Sequence, residues 1–450
     1  MRNFVEIFTK IILTATKRNI TFATHNRIDI TMKNLEFDIA SRTSAYDKNS
    51  RAAVMMRIAA ITVALGIAVM IITLAVFTGF RRQIQSDLRG LVADIQIADM
   101  VNYSKGEAAP IVFSADFNDV LHDCTDVDWA APYIAVNCMI KNGDNTHGLQ
   151  IKGIDSLYHT EWWQEHLVEG VLPDFTAKNR GKQIVVSNTT ARLLSLNVGD
   201  KVEVLYMGEG STPHRDNFKV SGIFASSLEE MNNMMALADM RDVRGLAGLD
   251  ENQISGYEVM LSGTENIEQT YLDINGIFDF PDSFGKDIPI WCTPFGLQVR
   301  YPVVFDWLKA HNVIAQAVII IMMIVLLFNM IAAVLIMVFD RIGMIGTLKT
   351  QGMTNAAIRR IFLYRAAILF AKGAFWGNII GLALVAIQAI FHPIKLDPSG
   401  YMLSELPAHI GLGWWLLLNV GVLAATILVM VLPSAVVAKI KPEQSLKYKQ

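Results

Sequence analysis

Charge is scarce in this sequence: only 18% of its 450 residues are Asp, Glu, Lys or Arg. A soluble domain carries about a quarter. The net charge of −3, with a pI near 6.3, leaves no basic excess and removes nucleic-acid binding from the leading classes. Cysteine is nearly absent. Cys124, Cys138 and Cys292 form an odd set without CxxC spacing, which argues against a zinc site or a disulfide scaffold and leaves a single bridge open. No GxxxxGKS or GxxxxGKT stretch occurs, so the chain has no P-loop to cradle ATP phosphates and is not read as an ATPase. Nor does a catalytic constellation emerge. His122, His147, His159, His166 and His214 lack metal-ligand spacing, and Asp116, Asp119, Asp123, Asp126 and Asp128 lack the spacing and glycine of an EF-hand. Both sets read as surface groups, with no cofactor and no metal expected.

What the chain has in abundance is apolar residues, 52% of the total, at a mean hydropathy of +0.35. They collect in blocks. Residues 58–80, 313–339, 373–391 and 410–438 contain no charged side chain, and roughly 20 apolar residues suffice to cross the hydrocarbon core as a helix. None of the blocks shows the polar face of a soluble helix. They read as four transmembrane helices, the third beginning near residue 361.

Lys and Arg near the span ends set the orientation. Arg42, Lys48, Arg51 and Arg57 precede span 1, Arg341, Lys349, Arg359 and Arg360 join spans 2 and 3, and Lys439, Lys441, Lys447 and Lys449 end the chain. The link between spans 3 and 4 has only Lys395, with Asp397 and Glu405 beside it. This places both termini in the cytoplasm, although Arg81, Arg82 and Arg89 oppose it from the outer end of span 1. The expected architecture is an α+β membrane protein with one span, then three. A large mixed α/β periplasmic domain over 81–311 lies between the first and second. A cytoplasmic N-terminal segment (1–57), a cytoplasmic link (340–360), a periplasmic loop (392–409) and a cytoplasmic tail (439–450) complete it. FVEIFTKIIL near the start is broken by Glu6 and Lys10 and no small-residue cleavage site follows, so Met32 is the expected translation start.

Phe80, Ile84 and Leu88 keep a four-residue spacing past the membrane face, which extends span 1 as a helical stalk that Gly90 should stop. ADIQIAD alternates as a strand does, and VNCMIKNGDNTHGLQIKG reads as a hairpin turning at Asn142-Gly143. QIVVSNTTARLLSLNVGDKVEVLYM reads as a strand, a short helix capped by Ser187, a turn at Gly199-Asp200, and a strand. The methionines of MNNMMALADM fit core filling or an adaptable apolar surface.

DRIGMIGTLKTQGM, residues 340–353, separates two apolar runs. It predicts a helix over about 341–351 ended by Gly352, followed by a new helix capped by Thr354 or Asn355. Ile342, Ile345 and Leu348, with Lys349 alongside, make an apolar ridge with a basic edge. Such a ridge suits a protein partner or a bed of headgroups, and its residues alone leave both open. Gly373, Gly377 and Gly381 form a small-residue stripe for close helix packing, within one subunit or between two. Asn329 and Gln388 are the deepest neutral polar groups seen in spans 2 and 3, with Asn329 expected to bond a neighbouring helix or a second subunit.

MIGTLKTQGMTNAAIRRIF resembles the coupling-helix signature of FtsX-like and MacB-like ABC-transporter permeases. Ile345, Gly346, Leu348, Lys349 and Gly352 match, and Met344 stands at the position where the family carries an acidic residue. The tail KPEQSLKYK, with Pro442, Leu446, Lys447 and Tyr448, is similar to that family's ending, as LNVGDKVEVLY and FKVSGIF are to pieces of its outer domain. LEFDIASR, FNMI and IKLDPSGYMLSELP resemble the lipoprotein-releasing, LolC/LolE-type branch. The resemblance covers nearly the whole chain after Met32. It implies that Ile342, Ile345, Gly346, Leu348, Lys349 and Gly352 receive the stroke of a separate cytoplasmic ATPase subunit, where ATP is bound. It further implies a second permease subunit, identical or not, a lipoprotein substrate and a periplasmic lipoprotein chaperone. Acyl chains would enter beside span 1, with Met70, Leu74 and Phe77 as the expected cavity wall. Two alternatives stay open: export of a drug, toxin or peptide, and a non-transporting relay that activates wall hydrolases.

Overall fold

A computed structural model describes residues 51–99, 110–124, 126–178, 181–208, 213–263, 267–279, 292–396, 403 and 405–434. The expected start at Met32, LEFDIASR, part of the 392–409 loop and the tail KPEQSLKYK lie outside these residues. Two compact units divide the chain: 1–60 with 330–371 and 426–450, and 61–329 with 372–425.

Among the described residues, four helices are long and apolar enough to cross a membrane. Helix α1 runs Arg51–Val92, 42 residues without proline, and so carries span 1 straight on into a stalk. It ends at Ala93, whose φ of 54° lies in the left-handed region. Gly90 therefore does not stop the helix, contrary to expectation. Its role is contact, because a Cβ there would lie 2.2 Å from the Trp162 ring. The stalk spacing holds: Ile84 and Leu88 are buried together with Val304, Phe305 and Leu308, and Phe80 packs against them.

Beyond α1, the second unit holds the inserted domain, with strands β1 (Ile95–Asp99), β2 (Ile111–Val112), β3 (Val127–Asn142), β4 (Asn145–Ile154), β5 (Leu167–Gly170) and β6 (Gln183–Ser187). Then come β7 (Lys201–Tyr206), β8 (His214–Phe224), β9 (Met235–Asp239), β10 (Gln253–Ile254), β11 (Gly256–Leu261) and β12 (Cys292–Gly296). The expected hairpin is β3–β4, paired down to Asn142 and Asn145, so Gly143 and Asp144 form its loop. Helix α2 (Asn188–Leu194) follows β6 as expected, with Ser187 Oγ accepting from the Thr190 N–H at 3.0 Å.

The sheet was less legible. Pairings β3–β4, β4–β9, β9–β6, β6–β8, β8–β7 and β7–β3 close a ring. Closure leaves those strands no free edge and one interior. That interior is filled by Ile134, Val136, Ile140, Ile151, Val204, Val220 and their neighbours. Strands β11, β1 and β12 extend the sheet from β3. The methionine-rich stretch divides: Met235 and Met240 are buried, whereas Met234 is 62% exposed. Cys124, Cys138 and Cys292 are all free thiols.

The inserted domain is followed by α3 (Pro302–Asp340), α4 (Ile342–Thr350), α5 (Asn355–Phe391) and α6 (Leu412–Ser434). α3, α5 and α6 contain spans 2, 3 and 4, and α4 is the short helix between the first two of these.

A candidate coupling helix and the packing of span 1

α4 is nine residues long, and its ends follow the sequence closely. Gly352 takes φ +86°, which an L side chain rarely adopts, and the Met353 N–H donates to the Leu348 carbonyl at 3.0 Å. Thr354 then caps α5, its Oγ1 accepting from the Ala357 N–H at 3.3 Å. Helix, hinge and new helix are thus built within five residues of Gly352.

The expected exposed ridge needs correction. Ile345 is fully buried, as is Gly346, while Ile342, Met344, Leu348 and Lys349 are half-buried. Gly343, Thr347 and Thr350 are the exposed positions. Ile345 therefore anchors α4 to its own chain, and the surface left for a partner is flanked rather than formed by it. The apolar spacing turns Ile345 inward and leaves Ile342 and Leu348 half-buried beside it.

Gly377 and Gly381 resolve the glycine stripe within one subunit. A Cβ at Gly377 would lie 2.6 Å from the Ala64 carbonyl oxygen, and one at Gly381 would lie 3.1 Å from the Ala68 Cα. Span 3 therefore meets span 1 backbone to backbone. Gly373 is buried on the same helix. Met70 is fully buried and Leu74 8% exposed, so neither can line an open cavity, and that expectation fails; Phe77 is half-buried. The open face of span 1 carries Ile58, Ile61 and Leu65 instead, at 57%, 66% and 63% exposure.

Asn329 is half-buried in span 2. Gln388 is not a deep group but a loop tie: its Nε2 donates to the carbonyls of Leu406 at 3.1 Å and Ile394 at 3.4 Å. The polar lock that sequence reading missed joins spans 3 and 4. Asn378 Nδ2 donates to Asn419 Oδ1 at 2.8 Å, Asn419 Nδ2 returns a bond at 3.1 Å, and Trp415 Nε1 donates to Asn378 Oδ1 at 2.8 Å. NII and LNV could have flagged both asparagines as polar groups within apolar runs.

At the outer end, α1 is wired into the inserted domain through buried charge. Lys152 Nζ donates to the Leu91 carbonyl at 2.6 Å, to Glu258 Oε2 at 2.6 Å and to Tyr158 Oη at 2.9 Å. Tyr158 Oη in turn donates to Glu258 Oε2 at 2.8 Å, and Gln96 Nε2 donates to Glu258 Oε1 at 2.9 Å. Burial pushes the Lys152 pKa down, opposed by Glu258, and pushes Tyr158 well up. The ammonium also sits at the negative end of the α1 dipole. One cluster so ties the end of α1 to β1, β4 and β11.

One long helix entering a mixed domain, and three more leaving it, have counterparts in known proteins. Residues 57–276 match the family described as the MacB-like periplasmic core domain, and residues 317–442 match the FtsX-like permease C-terminal family. The chain belongs to the FtsX-like and MacB-like ABC-transporter permease family. Among relatives of this permease is the lipoprotein-releasing system transmembrane protein LolE of Haemophilus influenzae. It is 22% identical over 423 residues, covering 89% of this chain and 95% of its own. LolC of the same organism is 24% identical over 423 residues, covering 90% and 96%. LolC of Neisseria meningitidis serogroup B is 21% identical over 401 residues, covering 86% and 92%. The extracellular domain of the noncanonic ABC-type transporter YknZ from Gram-positive bacteria aligns with 45% of this chain and 99% of its own, at 13% identity and a TM-score of 0.31. The periplasmic region of MacB from Actinobacillus actinomycetemcomitans aligns with 48% and 95%, at 11% identity and a TM-score of 0.33.

Proposed function

We propose that this permease is one subunit of an ABC transporter that releases lipoproteins from the inner membrane, using ATP hydrolysed on a separate ATPase subunit. The observation that carries the reading is α4 itself. A short helix with an inward anchor, Ile345, and a left-handed hinge, Gly352, joins two membrane helices. A push on its exposed side must pass into α3 and α5, because both ends of α4 are tied directly to them. Near-full-length similarity to LolC and LolE supports the lipoprotein cargo. In this reading the ATPase and α4 lie in the cytoplasm, and the inserted domain faces the periplasm, where a lipoprotein chaperone receives the cargo. A second permease subunit completes the pathway. The exposed apolar stripe of Ile58, Ile61 and Leu65, rather than Met70 or Leu74, faces the acyl chains and that subunit.

Leu348→Asp tests the coupling. It places a carboxylate on the half-buried edge beside Lys349, and a charge there cannot be buried against a partner without a large desolvation cost. Lipoprotein release from proteoliposomes holding the whole complex should fall about tenfold or more, since each 1.4 kcal/mol lost is one decade. ATP hydrolysis should persist or weaken less. Release at the wild-type rate would remove α4 from the coupling path.

A further inference from the structure

Two arginines at the outer end of span 1 have no ion-pair partner among the described residues. Arg81 and Arg82 stand where the uncharged run of 58–80 ends, on the side where a membrane protein ordinarily has few basic groups. Arg89, further along α1, is already engaged: it pairs with Asp94 at 2.7 Å and donates to the Leu261 carbonyl at 2.7 Å. Arg81 and Arg82 are exposed, and among the described residues neither makes an ion pair. Both line a cavity of about 980 Å³, whose one carboxylate among the described residues is Asp128.

The cavity holds Arg82 in place. Arg82 Nη1 lies 2.7 Å from His409 Nε2. A guanidinium has only donors, so Nε2 accepts and the imidazole is neutral. Burial, and then Arg82, lower the His409 pKa accordingly. His409 is itself fixed, its backbone N–H donating to the Ala75 carbonyl at 3.0 Å and its carbonyl accepting from Thr78 Oγ1. This docking needs Gly79, where a Cβ would lie 2.5 Å from the Pro407 oxygen. Phe77 and Trp414 contribute apolar lining to the cavity, and Gln85, Ser86, Asn312 and Gln316 polar lining. Two exposed cations at the end of the apolar run, one of them held by His409, in a lining that also carries aromatic and amide side chains, match an anionic amphiphile.

We propose that this cavity seats the phosphate headgroup of an anionic glycerophospholipid from the leaflet on the inserted domain's side, with Arg81 and Arg82 as its cations. The site accounts for arginines that orientation alone does not, and it stands whatever the transporter carries.

The full-length chain, purified in mild detergent with equal amounts of phosphatidylglycerol and phosphatidylcholine, is weighed intact by native mass spectrometry. Phosphatidylglycerol should be retained in preference. Arg81→Gln/Arg82→Gln should weaken its retention about thirtyfold, from roughly a fivefold factor per basic group. Lys309→Gln, removing an exposed cation on α3 whose side chain is 71% accessible, should change nothing. Wild-type retention in the arginine variant would overturn the site, and an equal loss in Lys309→Gln would reduce it to unspecific attraction. Displacement of the lipid by millimolar inorganic phosphate, retained through the same two arginines, would make it a free-anion site and overturn the lipid assignment.

Discussion

Removing Lys152 should loosen the inserted domain from the end of α1. In Lys152→Met the side chain keeps its length and loses its charge. Glu258 Oε2 then loses the ammonium 2.6 Å away and keeps only Tyr158 Oη, while Oε1 keeps Gln96 Nε2. Glu258 is fully buried, so no water replaces the lost partner. Breaking one side of a buried ion pair costs about 3–5 kcal/mol. In a domain of this size each kcal/mol moves the midpoint by about 2–4 °C, so unfolding should shift down by about 10 °C. The Leu91 carbonyl at the end of α1 also loses its donor, and protection of neighbouring amides should fall in hydrogen exchange. Trp129 and Trp163 are buried in the cluster that contains Leu91 and Tyr158, so intrinsic fluorescence of the full chain in detergent follows the transition. Lys152→Met/Glu258→Leu removes both charges and should recover most of the loss, since an apolar replacement of a buried pair is often neutral or better. A single variant within about 2 °C of wild type would refute the reasoning. So would a double variant less stable than the single one.

Gly377→Leu should push spans 1 and 3 apart, because even its Cβ would sit 2.6 Å from the Ala64 oxygen. Overpacking costs about 1–3 kcal/mol, read as a lower unfolding midpoint in detergent, whereas Gly421→Leu on span 4 meets open space and should be neutral. His409 gives a pH dependence. Its pKa lies below the ordinary 6.5, so the folded chain binds that proton less readily than the unfolded chain. The stability it contributes is therefore whole above pH 6.5 and lost as pH falls through the lowered value. Intrinsic-rate-corrected protection of the His409 N–H, donated to Ala75, should fall below pH 6.5, and a rise on acidification would contradict the Arg82–His409 bond.

Sequence alone determined the features that depend on local chemistry. Uncharged runs marked the spans, Ser187 and Thr354 marked helix starts, and Gly352 marked the hinge, because hydropathy, capping oxygens and φ > 0 act over a few residues. The family signature around Ile345 was legible for the same reason. Tertiary structure decided which way each face turned. Ile345 and Met70 are as apolar as Ile61 and Leu65, yet the first pair is buried and the second open, and periodicity cannot tell partner, lipid and core apart. Gly90 could have ended α1, but Trp162, 72 positions along the chain, claimed its space instead. The ring of strands, the Asn378–Asn419 lock and the Lys152–Glu258 pair each join residues far apart in sequence. No window along the chain contains both partners, so only the folded arrangement brings them together.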